Sequence, residues 1–264
     1  MSQIDLYFAG DSWLHRLDPR TKLLGVLLSS AVGLAYRHIG VLAGLLLLSH
    51  AVLLAAHVPP ARLRWLWSRL LPLLVMILVL QPIFAPGPGS DLVRLGPIRW
   101  TAAGLLDAVS FALRAAALSF VAATLLLTTD SARLVQGLVR LGLPYPWGLT
   151  IALAIRYLPE TFGLFVSVME AQQARGWIVG QGHFMQRARS YLPVLVATII
   201  ASLRKADSLG LALAARGLGY TRHRTALHDV QLRAVDWLAL GLMMAAFAGL
   251  MLLRFHVGWG RAPW

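Results

Sequence analysis

The residues best suited to binding another molecule form two copies of the tripeptide Ala-Arg-Gly. The first copy is formed by Ala174, Arg175 and Gly176, and the second by Ala215, Arg216 and Gly217. A guanidinium group binds a carboxylate through two parallel charge-assisted hydrogen bonds, and an adjacent glycine lets a partner backbone approach closely. Both copies also end a helical pattern, where arginine and glycine are common for structural reasons alone. A binding role and an ordinary helix end therefore both stay open on the tripeptides alone.

No set of residues in the sequence has the spacing of a catalytic or metal site. The acidic residues are scattered singly, the eight histidines lack metal-ligand spacing, and no glycine-rich phosphate loop occurs. The absence of cysteine excludes thiolate catalysis, disulfides and cysteine-based metal sites. The sequence therefore predicts a non-catalytic chain with no metal ion or cofactor of its own.

The composition is that of an integral membrane protein. Of 264 residues, 58% are hydrophobic and only 13% are charged, and the apolar residues gather into runs long enough to cross a bilayer. The net charge of +13 does not indicate a nucleic-acid partner, because the basic residues lie beside and between the apolar runs. Such a distribution is typical of cytoplasmic loops that face anionic lipids or acidic partner surfaces.

Five apolar runs are predicted to cross the membrane as α-helices. The first two are expected to pair as a tight hairpin, because the first is short for a full crossing. A proline- and glycine-rich segment at 85–90 follows the third run and predicts a turn. The fold class is therefore an all-α polytopic membrane protein. The runs are 23–36, 39–58, 70–84, 101–128 and 234–253.

A basic segment separates the fourth run from the last. Residues 129–230 contain apolar pieces at 147–169 and 191–203 but no clean apolar run, and they predict a large cytoplasmic domain. Membrane helices are then expected at 1–128 and 231–264, with a cytoplasmic N-terminus. A crossing within 147–169 would reverse the side of the C-terminus, and this alternative stays open.

Several short segments, taken in order, carry a family resemblance. They are Leu17–Lys22, Thr128-Thr129, Gly137-Leu138 with Gly142–Pro144, Ala154–Glu160, Ala171-Gln172 with Ala174–Gly176, Ser202–Asp207 and Ala215–Gly217. In this order and spacing they resemble the T component of energy-coupling-factor (ECF) type ABC transporters. The second copy departs from the family pattern, since it continues as Leu218-Gly219-Tyr220.

The resemblance implies a coupling subunit of a prokaryotic cell membrane. Arg175 and Arg216 would each pair with acidic groups on one of two cytoplasmic ABC ATPase subunits, which bind the ATP. Their motion would reach a separate substrate-binding membrane subunit that takes up a vitamin or a transition metal ion. A stand-alone transporter or channel and an integral membrane enzyme are the alternatives.

Two further sets of residues have roles in this scheme. Pro159 and Pro193, the latter expected inside an apolar helix, are candidate hinges because proline removes a helix hydrogen bond. An ordinary kink or a helix start is the alternative for both residues. Asp18, Arg20 and Lys22 are expected either to contact partners or to cap and anchor the first helix at the cytoplasmic face.

Overall fold

The computed structural model describes residues 10, 12–85, 91–95, 98–177, 180, 183–220 and 233–256. Its described part is helical apart from one antiparallel β-hairpin between the third and fourth predicted membrane runs. The elements are α1 (Trp13–Arg16), α2 (Pro19–Ala35), α3 (Ile39–Ala55), α4 (Pro60–Phe84), β1 (Asp91–Leu95), β2 (Ile98–Thr101), α5 (Ala102–Thr128), α6 (Ser131–Arg140), α7 (Tyr145–Ala174), α8 (Phe184–Ser190), α9 (Leu192–Ala215) and α10 (Ala234–His256).

The chain divides into two compact units. The bundle unit comprises Leu6–Leu143 and Val230–Trp264, and the central unit comprises Pro144–Asp229 with Met1–Asp5. The predicted domain at 129–230 begins earlier than the central unit because α6 packs on α2. Gly137 permits this contact, since a Cβ there would lie 3.0 Å from the Cβ of Pro19.

Helix α5 is the central element of the bundle unit. Helices α2, α3 and α4 all pack against it, and α10 packs on α2. Aromatic rings join α3, α4 and α5: the indole N–H of Trp67 donates to His50 Nε2 at 3.0 Å, and both rings contact Phe120. The hydrophobic core consists of Leu14, Leu17, Leu53, Ala56, Val58, Leu63, Phe120, Ala123 and Leu127.

Four helices in the described part of the chain are long and apolar enough to cross a membrane. Three of them contain predicted runs: Pro60–Phe84, Ala102–Thr128 and Ala234–Phe255. The first two runs form α2 and α3, each of 17 residues, which rise only about 25 Å. The fourth is α7, which lies in the predicted cytoplasmic domain. The chain is therefore a multi-pass α-helical membrane protein.

A buried polar cluster fixes the start of α2. The Asp18 N–H donates to Asp236 Oδ1, and the Arg233 N–H donates to Asp236 Oδ2, both at 2.8 Å. Lys22, which precedes the apolar run of α2, donates to the Thr128 carbonyl at 2.9 Å and to Thr129 Oγ1 at 3.1 Å. These bonds attach the start of α2 to the start of α10 and to the end of α5.

Burial is the main cause of the unusual acidity of Lys22. It lowers the pKa of the Lys22 ammonium to about 8, with the charge of Arg133 acting in the same direction and Asp18 and Asp236 opposing it. The ammonium group therefore remains predominantly protonated at pH 7, and it donates to the oxygens at the end of α5 as a cation.

The cluster also constrains the path of the intervening chain. Residues 129 and 233 lie at one end of the bundle unit, since Thr129 and Asp236 both bond to the segment Asp18–Lys22. The chain between them therefore leaves and returns on one side of the membrane, which requires an even number of crossings. A single crossing within 147–169 does not fit this arrangement.

Replacement of Asp236 is expected to destabilise the bundle unit. Asp236→Ala leaves the N–H groups of Asp18 and Arg233 without their acceptor. We expect a loss of about 1–3 kcal/mol in the free energy of unfolding, chiefly from the buried Asp18 N–H, because Arg233 is exposed and water can replace its acceptor. The melting temperature of the detergent-purified chain measures this loss. Asp107→Ala is the matched control, and an equal fall in both variants would contradict the assigned role.

Single cysteines test the topology without background labelling, because the natural chain has none. With the N-terminus and residues 129–230 in the cytoplasm, Ser12→Cys and Ala174→Cys should react with an impermeant maleimide only in inverted vesicles. Ser90→Cys, in the predicted external loop, should react in intact cells. Labelling of Ala174→Cys in intact cells would instead show that α7 crosses the membrane.

Candidate coupling site

The first Ala-Arg-Gly copy ends α7 in a Schellman motif. Arg175 is the C-cap residue, with φ −84° and ψ 7°, and Gly176 follows at φ +85°. The Gly176 N–H donates to the Gln173 carbonyl at 2.9 Å, and the Trp177 N–H donates to the Gln172 carbonyl at 3.0 Å. This pair of bonds requires a residue at positive φ directly after the cap, a conformation that glycine adopts without strain.

The second copy ends α9 in the same way. Arg216 is the C-cap residue, with φ −85° and ψ 11°, and Gly217 follows at φ +75°. The Gly217 N–H donates to the Ala214 carbonyl and the Leu218 N–H to the Leu213 carbonyl, both at 2.9 Å. The repeated tripeptide thus gives two helix ends with the same backbone conformation and the same hydrogen bonds.

Both arginines extend from these ends into open space. Arg175 and Arg216 are exposed, and neither has an ion pair or a side-chain hydrogen bond within the described part of the chain. Ala174 and Ala215 beside them are also exposed and are too small to obstruct a partner. Each helix end therefore presents a guanidinium group whose donors are available to an external carboxylate.

The residues that follow the two arginines differ. Trp177 donates from its indole N–H to the Ser190 carbonyl at the end of α8, at 2.9 Å. After the second end, Gly219 adopts φ +93° and Tyr220 is 91% exposed. The departure from the family pattern at Leu218–Tyr220 therefore leaves this aromatic side chain largely in solvent, whereas Trp177 is held against its own unit.

Helices α7 and α9 pack together well away from their ends. Lys205 forms an ion pair with Glu160, and its ammonium nitrogen lies 5.5 Å from the centroid of the Tyr157 ring. A cavity of about 160 Å³ adjoins this contact and is lined by residues of both helices. Arg175 lies about 22 Å along α7 from Glu160, and Arg216 about 16 Å along α9 from Lys205.

The two candidate hinge residues occupy different positions. Pro159 lies inside α7, one residue before the ion-paired Glu160, and it deprives the helix of one backbone donor. Pro193 is the second residue of α9 and so lies at the start of that helix. Proline is well tolerated there, because the first N–H groups of a helix have no internal acceptor. The hinge role of both residues stays a prediction.

The residues predicted at the start of the first helix lie largely inside the protein. Asp18 caps α2, with its Oδ1 accepting from the Arg20 N–H at 2.8 Å, and this agrees with the capping alternative. Asp18 and Lys22 are buried with internal partners, so their side chains are not accessible for a partner subunit. Only Arg20 keeps partial exposure.

The acceptor of this cluster, Asp236, is not among the residues predicted from the sequence. A useful signal was present, because Asp236 is an acid at the start of the cleanest apolar run and such a group needs a partner.

The described residues contain no group of three or more metal-ligating side chains.

Comparisons with known proteins agree with this architecture. The family model described as cobalt transport protein, CbiQ, matches residues 10–227. The energy-coupling factor transporter transmembrane protein EcfT of Acidaminococcus fermentans is 33% identical, with 95% of this chain and 96% of that protein aligned. The EcfT protein of Streptococcus equi is 31% identical, with 90% of this chain and 91% of that protein aligned.

The matched regions include both Ala-Arg-Gly helix ends and most of the bundle unit. The chain therefore belongs to the family of transmembrane components of energy-coupling factor transporters, which are non-catalytic transporter subunits.

Proposed function

We propose that this chain couples ATP hydrolysis by two cytoplasmic ABC ATPase subunits to the movement of a separate substrate-binding membrane subunit. The observation that carries the proposal is the pair of matching helix ends, each with an exposed arginine that lacks an internal partner. Two ATPase subunits need two equivalent attachment points. An arginine at each point suits an acidic groove, because its planar fork binds a carboxylate through two bonds.

The packing of α7 on α9 supports a transmission role. The two helices contact each other at Tyr157, Glu160 and Lys205, and their arginines lie at the helix ends, about 22 Å and 16 Å farther along. When ATP draws the ATPase subunits together, the two ends would move and the contact between α7 and α9 would act as the pivot. A rigid element that moves about a pivot is an established means of domain-scale motion.

The cargo and its carrier follow from the same proposal. The complex would be an importer in a prokaryotic cell membrane, and the cargo would be a vitamin or a transition metal ion held by the substrate-binding subunit. The name of the matching family, cobalt transport protein, fits the metal alternative. ATP would be bound by the ATPase subunits alone.

Removal of either exposed arginine is expected to weaken ATPase attachment. In a tagged pull-down from native membranes, Arg175→Ala or Arg216→Ala should lower the recovered ATPase about tenfold or more. Loss of a hydrogen bond to a charged group is worth about 1.5–3 kcal/mol, and about 1.4 kcal/mol is tenfold in affinity.

The matched controls are exposed arginines on the same helices. Arg156→Ala on α7 and Arg204→Ala on α9 remove the same charge away from the helix ends. Both controls should retain wild-type ATPase recovery. Wild-type recovery and wild-type uptake in the Arg175→Ala/Arg216→Ala double variant would refute the attachment role.

The ion pair between α7 and α9 should affect the transmission of movement to the substrate-binding subunit but not the attachment of the ATPase subunits. Lys205→Glu places two like charges in contact, and Glu160→Lys combined with Lys205→Glu restores an opposite pair. Both partners are substantially exposed, so we expect little change in melting temperature. Substrate uptake per ATP hydrolysed should fall in the single variant and recover in the double variant, with ATPase recovery unchanged in both. Equal uptake in the single variant and the wild type would exclude a pivot at this pair.

A further inference from the structure

Two arginines contact Tyr36 at the end of α2, and a third follows it directly in the chain. Arg114 Nη2 donates to the Tyr36 carbonyl at 2.8 Å, and the guanidinium carbon of Arg254 lies 5.5 Å from the centroid of the Tyr36 ring. Arg37 follows Tyr36 directly in the chain. The Tyr36 hydroxyl donates to the Leu250 carbonyl and joins α2 to α10. Arg114 of α5 and Arg254 of α10 thus contact the same residue, and Arg37 is the next residue after it in the chain.

These charges have no balancing carboxylate within the described part of the chain. None of the three arginines forms an ion pair there. Arg114 Nε and Arg254 Nη1 are buried and donate no hydrogen bond. Buried charged donors normally have an acceptor, because leaving them unpaired is strongly unfavourable. The arrangement therefore lacks an anion.

We propose that Arg37, Arg114 and Arg254 form a binding site for a phosphate group, and that a phospholipid headgroup supplies it. Guanidinium groups match phosphate oxygens in geometry and in charge, and basic pockets between membrane helices bind phosphate headgroups. The site takes no part in the proposed attachment to ATPase subunits, which involves residues of the central unit.

The position of the site favours a lipid over a free phosphate ion. Helix α2 has 17 residues and rises about 25 Å, which is close to the hydrocarbon thickness of about 30 Å. The end of α2 at Tyr36 therefore lies near the headgroup level opposite to the Lys22 cluster. Leu34, Leu252 and Phe255 near this end are exposed apolar side chains, which suits contact with acyl chains.

The test compares ligands that share either the phosphate or the acyl chains. Full-length protein in mild detergent is titrated with phosphatidylglycerol, with diacylglycerol of the same chains and with inorganic phosphate, and binding is followed by native mass spectrometry and melting temperature. We expect phosphatidylglycerol to bind and raise the melting temperature, and diacylglycerol to do neither. The double variant Arg37→Gln/Arg254→Gln should bind phosphatidylglycerol about tenfold more weakly or worse.

Arg69→Gln is the matched control, because the Arg69 guanidinium also lies over an aromatic ring, at 5.6 Å from the Trp65 centroid. It should bind phosphatidylglycerol as the wild type does. Should the double variant fold poorly, Arg37→Gln alone removes an exposed side chain and should still weaken binding. Inorganic phosphate could bind as tightly as the lipid and lose this binding in the variant. That outcome would show an anion site for free phosphate and would contradict the lipid as its ligand. Unchanged lipid binding in the Arg37→Gln variant, or equal binding of diacylglycerol, would overturn the proposal.

Discussion

The structure depends on the need of buried backbone and charged groups for hydrogen-bond partners within the chain, since lipid supplies none. Asp236 meets this need for two backbone N–H groups, and Lys22 meets it for the oxygens at the end of α5. Together they attach α2, α5 and α10 at one end of the bundle unit. Tyr36 and Arg114 do the same at the other end of α2. A helix of 17 residues, slightly shorter than the hydrocarbon core is thick, is thereby fixed at both termini.

Hydropathy alone located most of the bundle helices, because a run of apolar side chains determines where a chain can enter lipid. The run at 101–128 corresponds almost residue for residue to α5, which starts one position later at Ala102 behind the capping Thr101. Helix α4 begins at Pro60, ten residues before the predicted run at 70–84. The arginine- and tryptophan-rich residues 61–69 belong to the same helix. The β-hairpin at Asp91–Thr101 has no hydropathy signal, and the sequence did not reveal it.

Contacts between distant residues were beyond the reach of sequence patterns. The two helix ends could be predicted because each depends on a local tripeptide, in which an arginine cap precedes a glycine at positive φ. The Glu160–Lys205 pair and the Asp18–Asp236 bond join residues 45 and 218 positions apart, and no local pattern encodes such partners. Arg114 shows the same limit: an arginine inside an apolar run must face the bundle interior or reach an interface, but no local pattern identifies the Tyr36 carbonyl as its acceptor.

The ends of α7 and α9 lie at unequal distances from the Glu160–Lys205 contact, and this difference has a mechanical consequence. From the Glu160–Lys205 contact, the segment to Arg175 is about 22 Å long and the segment to Arg216 about 16 Å long. If both helices turn through the same angle about that contact, the tip of α7 sweeps roughly a third farther than the tip of α9. Two ATPase subunits of identical sequence would then experience different displacements and different resisting forces. The transporter would be functionally asymmetric even with a symmetric ATPase dimer.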